Sequence, residues 1–130
     1  MDKGQPECHS FDIQHMKQYS MRFVEDRDWG KFQTPKNIAI GIVRESSELL
    51  EIFQWLSDSE SQDIKNDLER LNQIKHELGD ILHYVVRLSN LLNVDLAKAF
   101  WEKMELNESK YPVDQCRGKR EKYTQILDKA

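Results

Sequence analysis

Glycine and proline are scarce, five and three among 130 residues, and no stretch alternates polar and apolar side chains as a half-buried strand would. That scarcity excludes sandwiches and barrels, whose short strands need frequent turn residues, and leaves an all-α chain. Cysteine is rarer still. Cys8 and Cys116 stand apart, outside the apolar helical pattern, so a disulfide scaffold is excluded and free thiols in a reducing compartment, the cytoplasm, are expected. No apolar run approaches the ~20 residues that cross a bilayer, and the N-terminal residues lack an apolar signal region. A soluble protein with no membrane partner follows. Cationic charge is not in excess: the net charge of −4 argues against a nucleic-acid polymer, whose phosphates attract basic faces. Gly-x-Ser-x-Gly, P-loop and Gly-x-Gly-x-x-Gly motifs are absent, which removes the hydrolase elbow and the common nucleotide loops.

What remains is helical periodicity over one domain-sized chain. Residues 1–9 are polar and expected to be loose, and Ser10 is the expected cap of a first helix carrying Phe11, Met16, Tyr19, Phe23 and Val24, ending near Asp28. Gly30 punctuates the connection that follows. Thr34-Pro35 then supplies a cap and a first-turn proline for a second helix running to about Leu56. Residues 57–62 are polar and predicted to form a loop, after which a third helix is predicted over 63–90. Asn93-Val94-Asp95 makes a turn and cap for a fourth helix, with Leu96, Ala99, Phe100 and Met104, which stops before Tyr111-Pro112 because the residue preceding proline disfavours helix. The expected organisation is a loose N-terminus, a helical domain over 10–112 and a tail over 113–130 whose basic cluster is Arg117, Lys119, Arg120 and Lys122. The architecture is a four-helix bundle.

Two steps of carboxylates interrupt the apolar stripes: Glu45-x-x-Glu48 on the second helix and Glu77-x-x-Asp80 on the third. Residues three apart on a helix are neighbours, so each step sends two acids the same way. Facing helices would bring four together. Such a group repels itself in a low-dielectric interior unless protons or a multivalent cation neutralise it, and clustered oxygens suit a hard metal such as Mg²⁺. The bland alternative is a structural ion-pair network using Arg44, Arg70, Arg87 or Lys75. A di-iron carboxylate site is disfavoured, since Asp80-x-x-His83 is the lone acid-x-x-His step here and His76 sits about 100° around the helix from Glu77. Zinc lacks any paired Cys/His spacing.

These acids and their surroundings resemble the MazG-like all-α nucleoside triphosphate pyrophosphatases, and within them the dCTP pyrophosphatase branch. The matching residues are Glu45-Ser46-Ser47-Glu48 and Glu77-Leu78-Gly79-Asp80, Arg27-Asp28-Trp29, Pro35-Lys36-Asn37, Phe53-Gln54-Trp55, Tyr84, Lys103-Met104, Lys110-Tyr111-Pro112, and Arg117-Gly118-Lys119 with Lys122-Tyr123. They span about residues 10–127, nearly the whole chain. The resemblance implies Mg²⁺-dependent hydrolysis of a nucleoside triphosphate to the monophosphate and pyrophosphate, in nucleotide-pool cleansing. It implies Glu45, Glu48, Glu77 and Asp80 as metal ligands, with Glu48 as the candidate that orients the attacking water. Trp29, Trp55 and Tyr84 match positions around the base, while Lys103, Asn107, Lys110 and Tyr111 are the candidates for the outer phosphates. Core filling is the bland alternative for Trp29, Trp55 and Tyr84. Ser20 stands where that branch often has a histidine, which implies a substrate choice broader than cytosine. Assembly as a homodimer or homotetramer is also implied, and apolar residues on extra helix faces (Leu50, Phe53, Leu82, Val85, Val86 and Leu92) are consistent with it. A non-catalytic helical interaction protein is the alternative from another class.

Overall fold

The computed structural model describes residues 12–120 and Thr124 and contains six α-helices among them, the four long ones following the apolar period of the sequence. None of the described residues is in a strand. Helix α1 (Ile13–Glu25) is capped by Asp12, whose carboxylate accepts from the N–H groups of Gln14 and His15. The expected cap, Ser10, lies outside the described residues. At the other end Asp28 adopts a left-handed φ of 50°, which turns the chain so that the Trp29 N–H reaches the Val24 carbonyl at 3.1 Å. A 3₁₀ turn over Gly30–Phe32 follows, and Thr34 then caps α2 (Pro35–Phe53) by accepting from the Asn37 N–H.

Three predicted boundaries move, the end of the second long helix and both ends of the third, which runs on past 90 to Leu92. Helix α2 stops at Phe53, short of Leu56, and the expected loop over 57–62 instead holds a short helix, α3 (Asp58–Asp63). A capping box causes this: the Glu60 N–H donates to Ser57 Oγ at 3.2 Å and the Ser57 N–H donates to Glu60 Oε2 at 2.8 Å. The next long helix, α4 (Leu68–Leu92), begins later than 63 because Asp67 is its cap, accepting from the Arg70 N–H, while Ile64–Asn66 close a 3₁₀ turn. Asn93, at φ 53°, ends α4 in the left-handed conformation that suits asparagine.

The chain divides into two compact units, the first ending at Val94 and the second starting at Asp95. In the first unit α1 and α2 both pack on α4. Ser20 meets His83 and Lys17 meets Asn90, so α1 runs antiparallel to α4. Val24, Ile38 and Val86 are fully buried and, with Ile74, form the apolar core among the described residues. Val86 thus fills this chain's own interior, whereas Leu50 and Leu92 remain exposed. Two of the buried polar side chains are partnered across or along this packing: Arg87 Nε donates to Gln33 Oε1 at 2.9 Å, and Ser89 Oγ donates to the Val86 carbonyl.

In the second unit Asp95 caps α5 (Leu96–Lys110) by accepting from the Lys98 N–H, and the helix ends before Tyr111-Pro112 as expected. The four long helices α1, α2, α4 and α5 are those that the periodicity predicts. The tail contributes a further short helix, α6 (Val113–Cys116), with the Cys116 thiol unpaired. Cys8, Lys122 and Tyr123 lie outside the described residues. No helix among the described residues is long and apolar enough to cross a membrane.

Candidate functional site

Helices α2 and α4 place the acids. Gly41 lies against Tyr84, and further along α2 Glu45 and Glu48 meet Glu77, so the helices run antiparallel. Carboxylate oxygens of Glu45, Glu48 and Glu77 come within 4.8 Å of one another. The sequence predicts all four acids to point inward, and the helix geometry modifies this. Residues three apart differ by about 60° around the axis, so when one acid enters the seam its partner stands at the edge. Glu45 is accordingly buried, at 8% exposure, and Glu77 half-buried, while Glu48 and Asp80 are exposed. Asp80 is outside the three-acid group, although its charge acts on Glu77.

Crowded negative charge raises the proton affinity of these acids. Side-chain hydrogen bonding with Glu45, then the charge of Glu45, lifts the Glu48 pKa above its ordinary value, with Arg44 opposing. For Glu77 burial comes first, then the Glu45 charge, with Asp80 adding to it. One cation answers part of this charge. Arg44 Nη2 lies 3.1 Å from Glu45 Oε1 and donates to the Tyr84 hydroxyl at 3.0 Å, so one piece of the structural ion-pair alternative is realised. Arg87 and Arg70 go elsewhere, to Gln33 and Asp67. Glu77 Oε2 is buried and has no hydrogen-bond partner among the described residues. A buried carboxylate oxygen without compensation is costly, and with two further carboxylates at hand it fits a hard divalent cation with oxygen ligands.

The aromatic candidates differ in setting. Tyr84 is half-buried on α4, against Gly41, where a Cβ would approach its ring to 3.0 Å. Trp29 meets Phe23 edge-on with ring centroids 5.8 Å apart, and Phe23 meets the His83 ring in the same way. Trp55 follows the end of α2 and is 86% exposed, which does not fit core filling. Ser20 is buried with its Oγ 3.0 Å from His83 Nε2, and burial lowers the His83 pKa, which favours the neutral imidazole. That bond also engages the one histidine that an acid-x-x-His iron site would have used.

Lys103, Asn107 and Lys110 sit on α5, and Tyr111 follows it; all four belong to the second unit, with Asn107 the least exposed. The site of the first unit has a feature that the sequence pattern did not reveal. A cleft of about 500 Å³ adjoins the acids, lined by Glu48, Glu51 and Ile52 of α2 and Arg70, Gln73 and Glu77 of α4. Positions 70, 73 and 77 follow helical spacing, a signal that was present but lacks an apolar stripe to mark it.

Residues 40–126 match the MazG-like family. Over 114 residues, 88% of this chain, the sequence is 35% identical to dCTP pyrophosphatase 1 of Rattus norvegicus and 32% identical to that of Homo sapiens, covering 67% of each. A crystal structure of a pyrophosphatase from Archaeoglobus fulgidus superposes with a TM-score of 0.72 at 33% identity, covering 83% of this chain and 99% of that one.

Proposed function

The chain belongs to the MazG-like family, and from that premise we propose that it is a Mg²⁺-dependent pyrophosphohydrolase that converts a deoxynucleoside triphosphate, dCTP or a modified dCTP, to the monophosphate and diphosphate. At the coarser level it is a nucleoside triphosphate diphosphatase of the all-α fold. The observation that carries the metal-dependent proposal is the buried, unpartnered Glu77 Oε2 beside the carboxylates of Glu45 and Glu48. A purely structural ion-pair cluster accounts for Glu45 through Arg44 and leaves that oxygen unexplained.

Glu45, Glu48 and Glu77 would hold the cation, with Asp80 completing the set from the exposed edge. A divalent ion bound there supplies neutralisation of phosphate oxygens and a water more acidic than bulk. The protein's own part is positional. Arg44, itself donating to the Tyr84 hydroxyl, fixes the Glu45 carboxylate, while Glu48, exposed toward the cleft, is placed to orient water toward the α-phosphorus. Trp29, Trp55 and Tyr84 offer flat rings to a pyrimidine. Ser20, held by His83, leaves no second imidazole on α1 at that point, consistent with a base choice broader than cytosine. Lys103, Asn107, Lys110 and Tyr111 are proposed to serve the outer phosphates, in a homodimer or homotetramer.

Glu48→Gln and Asp80→Asn test this. Each variant is expected to keep its helical circular dichroism and to lose at least about 100-fold in Mg²⁺-supported turnover, in the range for removal of a group that acts on charge in the transition state. Ordinary turnover in either variant would remove the metal-site proposal.

A further inference from the structure

The cleft beside the acids holds a cation for which the proposed function has so far given no role, and from it we infer that Arg70, beside Asp67 and assisted by Gln73, is a diphosphate subsite: it adds a donor to the outer phosphates beyond those proposed from Lys103, Asn107, Lys110 and Tyr111, and then holds the released diphosphate. This rests on the function proposed above. The cleft volume of about 500 Å³ lies within the usual range for a small-molecule site. Glu77 stands at one end and belongs to the acid cluster; Gln73 and Arg70 continue the same face of α4 toward its N-terminus.

The lining chemistry selects the ligand. Of the six lining residues three are acids, one is an amide, one is aliphatic, and Arg70 is the cation. No aromatic ring lines the cleft to stack on a base, so the nucleoside is a poor occupant. A polyphosphate fits: its inner oxygens belong beside a cation on the acids, and its far oxygens need a donor beyond them. Arg70 offers a planar fork suited to phosphate, and the Gln73 amide adds a neutral donor.

Arg70 is also held loosely enough to change partner. Asp67 Oδ1 accepts the Arg70 backbone N–H at 3.1 Å as the helix cap, while Oδ2 lies 3.6 Å from Arg70 Nε, beyond hydrogen-bond length. Both side chains are about half exposed, at 49% and 46%, so this ion pair is weak. Asp67 faces the Nε edge of the guanidinium, which leaves the two Nη groups for a phosphate.

The test uses the full chain with Mg²⁺ and inorganic diphosphate in titration calorimetry, alongside KM for dCTP and Mn²⁺ binding by electron paramagnetic resonance. Arg70→Gln is expected to weaken diphosphate binding by about tenfold and to raise KM similarly, with Mn²⁺ binding and Tm unchanged. Arg70→Lys should recover part of the loss. Asp67→Asn keeps a good cap but removes the competing charge, so diphosphate should bind about twofold tighter. Three results would overturn the subsite: wild-type diphosphate affinity in Arg70→Gln, loss of Mn²⁺ binding in that variant, or a loss in Asp67→Asn equal to that of Arg70→Gln, which would mark a structural role. A wild-type chain that neither hydrolyses a deoxynucleoside triphosphate nor binds diphosphate with Mg²⁺ would overturn the proposed function itself.

Discussion

Glu77 carries a buried carboxylate oxygen without a hydrogen-bond partner among the described residues, and burial followed by the charge of Glu45 lifts its pKa above the ordinary 4.5. A raised carboxylate pKa means that the folded state binds the proton more tightly than the unfolded one. The charged form therefore opposes folding, fully at pH values above the raised pKa, and this opposition fades as pH falls through the raised value toward 4.5. Glu77→Gln should raise the Tm of the metal-free protein at pH 7 by a few degrees, and the gain should shrink on acidification through that window. The same variant should lose the rise in Tm that Mg²⁺ gives the wild type. A lower Tm at pH 7 would instead mark Glu77 as a member of a satisfied ion-pair network. The carboxylate steps were legible in the sequence because they break apolar stripes at helical spacing. Which arginine answers them was not: Arg44, Arg70 and Arg87 were equal candidates until the fold sent them to Glu45, Asp67 and Gln33. The Ser20–His83 bond was equally hidden, since 63 residues separate its ends.

Between elements, the contact of α2 with α4 sets how closely the acids approach, and Gly41 permits it. A Cβ there would meet Tyr84 ring atoms at 3.0–3.2 Å, tight enough that the ring would have to move. Because that ring carries the hydroxyl held by Arg44, the shift would reach Glu45. Gly41→Val is expected to destabilise the protein by about 2 kcal/mol in urea denaturation, as overpacked cores are, and to reduce Mg²⁺-supported turnover. Unchanged stability would mean that α2 and α4 separate freely. Helix existence was legible from periodicity, and Thr34-Pro35, Asn93 and Asp95 marked their boundaries as expected. The misplacement around 57–67 has a local origin. Helix α3 is polar throughout and has no apolar period to reveal it, although Ser57-x-x-Glu60 is a capping-box signature in the sequence itself. Asp63 and Asp67 are both plausible caps, and the 3₁₀ turn over Ile64–Asn66 decides for Asp67.

Over the whole molecule, the first unit leaves Ile40, Val43 and Leu50 of α2 exposed at helical spacing, with Leu78 of α4 exposed as well. An apolar stripe of this kind favours a further copy of the chain as its cover. Light scattering at micromolar concentration should give the mass of two or four chains, and a stable monomer would contradict self-association. The family, the all-α class and the acid pair were legible in the sequence because they rest on local spacing. The cleft was not, because it exists only where residues of two antiparallel helices come together beside their shared acids. Metal-dependent cleavage between the α and β phosphates is tested most directly by product analysis of dCTP turnover. With Mg²⁺, dCMP and diphosphate should appear in equal amounts and chelation should stop the reaction; orthophosphate as the first product, or turnover that persists without a divalent cation, would contradict it.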